Sequence, residues 1–401
     1  MSVSPCSVTR AAGAADGGRL SSPSVRLGGA SFLSGAMGLS SRAGGDHALA
    51  ARRASKPAAV KRAVSASSAA VPVPEASAAD TPMSKNLRIA ASITGWFFLN
   101  AVFAIMNKKT LSCFPYPWLL SWIQIAVGAV FMLVMWRLNI FKAPEGGLTM
   151  EKMKLLVPTA TLHLIAHVSA CASYNLSSVS FMQVVKAAEP ACSVIILTLF
   201  FGARYSKWVW LTLIPIVGGV MAGSSAEVNF SMAAFLLAMT SNVACALRGV
   251  TSKSMEKEAG LKGINLYAGI AIVSSVLLLP LALIVEGSQL GVAFASAPAL
   301  LASKGILLFG VAQVGFLAYL FVGSMFYHLY NQTSYQALAE LSPLSHSVAN
   351  TVKRVVIIIA SVAVFKNQMT PVGIAAAAIA ILGTCLYSIA ASNDKKKKAA
   401  A

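Results

Sequence analysis

Lys353 and Arg354 stand side by side within SPLSHSVANTVKRVVIIIASVAVF, Ser342 to Phe365, a stretch long and apolar enough to cross a bilayer. In a helix, His346, Asn350, Lys353 and Arg354 fall at i, i+4, i+7 and i+8 and share one face. A cation at mid-membrane costs on the order of 3 kcal/mol or more, and two adjacent ones repel. Three partners can offset that cost: headgroups, if the pair sits at a helix end and snorkels; a buried acid; or a bound anion. The apolar run VVIIIASVAVF continues past the pair, and the nearest acid in sequence, Glu340, lies at the other end. A bound anion is therefore the favoured expectation.

Other polar residues fall on apolar segments in the same way. Gln183, Lys186 and Pro190 lie at i, i+3 and i+7, with Glu189 beside them. Lys186 either pairs with Glu189 one turn on or serves a ligand, and in both cases it faces the protein interior. Ser241, Cys245, Arg248 and Ser252 form a stripe ending in a cation, which is an interior group or an anchor on the positive side. His163 and His167 stand one turn apart. Two such histidines can hold zinc, but there is no HExxH pattern or third ligand, so no metal is expected. Their neutral rings suit an oxygen-rich ligand or another helix. FYHLYNQTSY places Tyr327, Tyr330, Asn331 and Ser334 along one face, as site residues or as part of an aromatic belt.

No nucleophile with its base, no phosphate-binding glycine loop and no dinucleotide fingerprint occurs, so neither an enzyme nor a resident cofactor is expected. Guanidinium and ammonium groups with His, Tyr and Asn donors suit phosphate. The expected ligand is a small phosphorylated metabolite.

The elements that must position these groups are membrane helices. Of 401 residues, 57% are hydrophobic and 11% charged, with a mean hydropathy of +0.71. That composition excludes a soluble domain and indicates an all-α polytopic membrane protein with lipid around it and no nucleic-acid partner. The six cysteines have no CxxC spacing and read as packing residues. Residues 1–82 are rich in Ala, Ser and Gly, with nine Arg/Lys and four acids. They read as a cleaved, disordered organellar transit segment, the alternative being a cytosolic tail.

Ten apolar segments follow, near 88–109, 117–138, 155–176, 179–202, 207–224, 231–252, 264–285, 304–331, 335–365 and 371–391. Arg137, Lys142, Lys152, Lys154, Arg204, Lys207, Lys253, Lys257 and Lys262 fall in loops on the side of the N-terminus. An even count adds the Lys395–Lys398 tail (393–401) to that side, while Lys108, Lys109, Lys304 and Lys366 lie opposite. Both termini should face the interior compartment. Lys186 and Lys353 lie 167 residues apart, each followed by an apolar run, a short polar loop and a small-residue segment. Two five-helix repeats of opposite orientation, 83–225 and 226–392, are expected from this echo.

The motifs resemble a known family, the plastidic phosphate translocators of the drug/metabolite transporter superfamily, over about Leu87 to Ser392. The resemblance lies in NKK at Asn107–Lys109, FPYPW, HLIAH at His163–His167, VKAAEPACSV around Lys186, LIPIVGGV, SNVACALRGVTSK around Arg248, YHLYNQ and SPLSHSVANTVKR. It implies ten helices in two inverted repeats and antiport of inorganic phosphate against a phosphorylated sugar across the plastid inner envelope. Carried over by position, Lys186, Lys353 and Arg354 would grip phosphate, Arg248 would support it, and His167 and Tyr330 would contact the rest of the substrate. The termini would face the stroma, and the protein would be a monomer or homodimer. Met182-Gln183 departs from the family's usual Thr-His, and Cys245 from an aromatic residue. A triose phosphate or glucose-6-phosphate type is expected, with phosphoenolpyruvate/phosphate and xylulose-5-phosphate/phosphate carriers, and a nucleotide-sugar transporter of the same superfamily, as alternatives.

Overall fold

The computed structural model describes residues 82–303, 312–340, 343–366 and 369–400. The transit segment, Cys6 and Lys304 lie outside the described residues, as do the side chains of Glu340 and His346. All described elements are helical: α1 Pro82–Leu111, α2 Pro117–Arg137, α3 Met150–Leu176, α4 Val179–Lys186, α5 Glu189–Phe201, α6 Lys207–Ser225, α7 Met232–Ala259, α8 Gly263–Glu286, α9 Leu290–Ser303, α10 Ala312–Glu340, α11 Pro343–Phe365 and α12 Pro371–Ala400. A 3-10 turn, Gly287–Gln289, joins α8 to α9.

The starts follow local chemistry. Pro117 opens α2, where a missing N–H costs nothing. Thr149, Ser178 and Ser231 cap α3, α4 and α7 through their hydroxyl oxygens. Gly202 and Gly260 end α5 and α7 in the left-handed region that only glycine adopts without strain.

Nine stretches among the described residues are long and apolar enough to cross a membrane. Their outward side chains include Ile284, Phe200 and Leu199, which suit acyl chains and not water.

Four boundaries differ from expectation. The expected gap at 332–334 lies inside α10, and the next described helix opens on Pro343, a natural helix start. α9 was not expected; it continues the apolar run that the turn at Gly287 divides. The basic tail is helical, as α12 continues to Ala400 and Lys398 pairs with Asp394 one turn back. The fourth segment is two helices, because Pro190 cannot donate to the Lys186 carbonyl. At that break Ala187 and Ala188 donate three residues back, to Val184 and Val185.

The most extensive packing is between α6 and α12 and between α3 and α7, followed by α1 with α10 and α2 with α8. In the α6–α12 pair, a Cβ added at Gly219 would lie 2.6 Å from the Ala380 backbone nitrogen. Small residues are what allow this approach. Counting α4 and α5 as one crossing and leaving out α9, the pairing has an exchange pattern. α3–α7 corresponds to α10–α1, α3–α8 to α10–α2, and α1–α11 to α7 with α4/α5. The pairs α2–α8, α6–α12 and α4–α11 map onto themselves.

Candidate functional site

A cavity of about 250 Å³ lies among α1, α3, α4, α5, α7, α10 and α11. At about 30 Å³ per water of liquid, that is room for roughly eight waters. Lys186, Arg248, Lys353, Arg354, His167 and Tyr330 all line it. The only carboxylate among its lining residues is Glu189, so four cationic side chains face a single anionic one.

Each cation is held by the element that carries it. The α4–α5 break points Lys186 towards α7, where its ammonium donates to Ser241 Oγ at 2.9 Å and lies 3.7 Å from Cys245 Sγ. The Ser241 hydroxyl donates to the Ala166 carbonyl at 2.7 Å, which turns its lone pairs towards Lys186. Asn242 Nδ2 takes the Val185 carbonyl at 2.9 Å and steadies the break.

Arg354 Nη2 meets Glu189 Oε2 at 2.9 Å, with Arg354 4% exposed. This bears on two alternatives that the sequence left open. The cationic pair does have a buried acid, brought from α5 and not from the Glu340 end of its own segment. Glu189 pairs across to α11 and not with Lys186, because the break at Ala187–Ala188 destroys the i, i+3 register. Lys353 instead has its ammonium over the Trp96 ring of α1, 4.9 Å from the centroid. No carboxylate pairs with it among the described residues.

Arg248 is an interior group and not an anchor at the surface. Its Nη1 lies 2.6 Å from His163 Nδ1. A guanidinium only donates, so Nδ1 carries the lone pair and Nε2 the proton, which faces the Tyr327 hydroxyl at 3.1 Å. His167 Nε2 donates to Gln124 Oε1 at 2.9 Å, and Gln124 donates to Asn107 Oδ1 at 2.9 Å. Both histidines are thus occupied by neighbouring helices, and among the described residues no group of three His, Cys, Asp or Glu is placed to hold a metal. The Tyr327 ring stacks on His167 at 4.0 Å, and Tyr330 packs against Phe103 at 5.1 Å. Neither tyrosine belongs to an interfacial belt.

Residues 87–388 match the Triose-phosphate Transporter family. The chain belongs to that family. It is 42% identical over 314 residues to a chloroplastic xylulose 5-phosphate/phosphate translocator of Arabidopsis thaliana, covering 78% of this chain and 72% of that one. It is 40% identical over 312 residues to glucose-6-phosphate/phosphate translocator 2 of the same plant, covering 77% and 76%. To a chloroplastic triose phosphate/phosphate translocator of Pisum sativum it is 37% identical over 306 residues, covering 76% and 72%.

Sequence reasoning missed one wall of this family member's cavity. Trp96, Asn100, Phe103 and Asn107 of α1 all line it, at i, i+4, i+7 and i+11. That spacing was a readable signal, diluted by the apolar residues around it. Tyr174 was missed too; its hydroxyl accepts from Gln183 Nε2 at 2.7 Å.

Proposed function

We propose that this protein is an antiporter that exchanges inorganic phosphate for a phosphorylated sugar, of the triose phosphate or glucose-6-phosphate type, across the plastid inner envelope. The observation that carries this reading is the cavity with four cations and one carboxylate, drawn from helices on both sides of the 225/226 boundary expected between the repeats. Lys186, Lys353 and Arg354 bind the phosphate group, Arg248 supports it, and His167 and Tyr330 contact the remainder of the substrate. Both termini face the stroma, following the excess of Lys and Arg on that side.

The charge explains exchange over leak. Glu189 neutralises Arg354, which leaves Lys186, Lys353 and Arg248 without a carboxylate in the empty cavity. Closing a dry gate over them costs several kcal/mol per uncompensated ion. A phosphate dianion cancels most of that charge, and the two five-segment halves, 83–225 and 226–392, then rock around it. Only the loaded carrier crosses, so transport is one-for-one.

The test is the full chain in liposomes. Uptake of labelled phosphate is expected only when phosphate or a phosphorylated sugar is trapped inside. Uptake at a comparable rate into vesicles without a counter-substrate overturns the reading.

A further inference from the structure

We propose that Asn100 and Gln183 read hydroxyl groups on the substrate's carbon chain, so that the cavity selects phosphorylated sugars over phosphorylated acids that carry no hydroxyl. This rests on the phosphate-ester reading of the cavity and adds what that reading leaves open, the source of discrimination among esters.

Asn100 lines the cavity at 8% exposure, and its amide has no hydrogen-bond partner among the described residues. The amide opens onto the cavity, so a ligand that displaces water there without bonding it leaves it unpaired, at a cost of about 1–3 kcal/mol. Its place along α1 says which part of the ligand it meets. One turn before it, Trp96 lies under the Lys353 ammonium. One turn after it, Phe103 packs against Tyr330 and His167. At 1.5 Å rise per residue, Asn100 stands about 6 Å along the axis from Trp96. That puts it between Lys353 and the aromatic end, alongside the carbon chain of a bound ester.

Gln183 lines the same cavity from α4 at 5% exposure. One half of its amide is engaged by the Tyr174 hydroxyl at 2.7 Å, and the other half has no partner among the described residues.

The chemistry of the two ligand ends differs. A phosphate dianion offers only acceptors, and the cations supply donors for it. An amide offers a donor and an acceptor together, and its carbonyl oxygen is served by an O–H group but not by a phosphate or carboxylate oxygen. A polyhydroxylated chain satisfies both halves. Phosphoenolpyruvate, with a carboxylate and no hydroxyl, leaves the amide carbonyls unpaired, and sites built to bond a hydroxyl discriminate strongly against ligands without one.

The test uses the full chain in liposomes, with competitors set against labelled phosphate. On the unsubstituted protein, propyl phosphate should compete about tenfold less well than glycerol 3-phosphate, which has the same length and keeps its hydroxyls. Asn100→Leu and Gln183→Leu should each weaken xylulose 5-phosphate and glucose 6-phosphate about tenfold relative to phosphoenolpyruvate. Equal competition by propyl phosphate and glycerol 3-phosphate overturns the inference, as does an equal loss for all three esters in both variants. If one variant fails to insert, the other and the unsubstituted protein carry the test. Absence of any phosphate exchange in the unsubstituted protein would instead sink the proposed function.

Discussion

Arg354 on α11 and Glu189 on α5 lie 165 residues apart in sequence and meet at 2.9 Å inside the cavity. The pair joins the two halves of the chain at the level where substrate is proposed to bind. It also removes one cation from the charge that substrate must cancel, and it separates Arg354 electrostatically from its neighbour Lys353.

Glu189→Gln should therefore destabilise the empty carrier. It leaves a buried guanidinium unpaired beside a second cation, a change that costs about 3 kcal/mol or more. Thermal unfolding of the detergent-solubilised protein should show a lowered midpoint. Saturating phosphate should raise that midpoint further in the variant than in the unsubstituted chain, because the anion then replaces the lost carboxylate. An equal phosphate shift in both would show that the ligand does not see this charge.

Lys353→Ala removes a proposed phosphate ligand and should abolish exchange while leaving membrane insertion intact. Trp96→Leu is the subtler test. It keeps the cation and removes the ring 4.9 Å from it, a contact worth roughly 1 kcal/mol. About a fivefold rise in KM for phosphate is expected, with little change in the maximal exchange rate. A fall in maximal rate at constant KM would place Trp96 in the conformational step instead.

The α6–α12 pair should tolerate no added bulk. At Gly219 a Cβ would sit 2.6 Å from the Ala380 nitrogen and 2.8 Å from the Ala376 carbonyl oxygen. Both are backbone atoms and cannot swing aside. Gly219→Val should cost about 3 kcal/mol and be read as loss of monodisperse protein after detergent extraction. Gly218→Val on the same helix, with nothing within 4 Å of its Cβ position, is the matched control.

The cations were legible in the sequence because Lys186, Lys353 and Arg354 stand out in apolar runs, and the structure brings all six expected site residues to one cavity. Their partners were not legible. The distance from Glu189 to Arg354 depends on how α5 departs from α4 at Pro190, and a regular helix read through that break assigns Glu189 to Lys186. Asn100 was overlooked for another reason: a neutral amide adds little cost to a hydrophobic segment, so it raises no alarm. The α9 helix escaped because composition marks an apolar run but not where a turn such as Gly287–Gln289 divides it.

Glu286 offers a prediction about the frame and not the cavity. Its carboxylate, at the end of α8, accepts from the Trp118 and Leu119 backbone nitrogens at 3.2 and 2.9 Å. It thus caps the start of α2 from a helix more than 160 residues away, where the dipole favours a negative charge. The other end of the same pair is also tied, since Trp136 Nε1 of α2 donates to Asn265 Oδ1 of α8 at 3.1 Å. Fastened at both ends, α2 and α8 should move as one body when the halves rock. Glu286→Ala removes two charge-assisted bonds and should lower stability by about 2 kcal/mol. It should leave the Ki of competing phosphate within about twofold, since the cavity lining does not include Glu286. Glu286→Gln retains the two acceptor lone pairs of one oxygen but not the charge, and should recover about half of the lost stability. A large change in phosphate affinity in either variant would mean that the α2–α8 pair shapes the cavity and does not simply carry it.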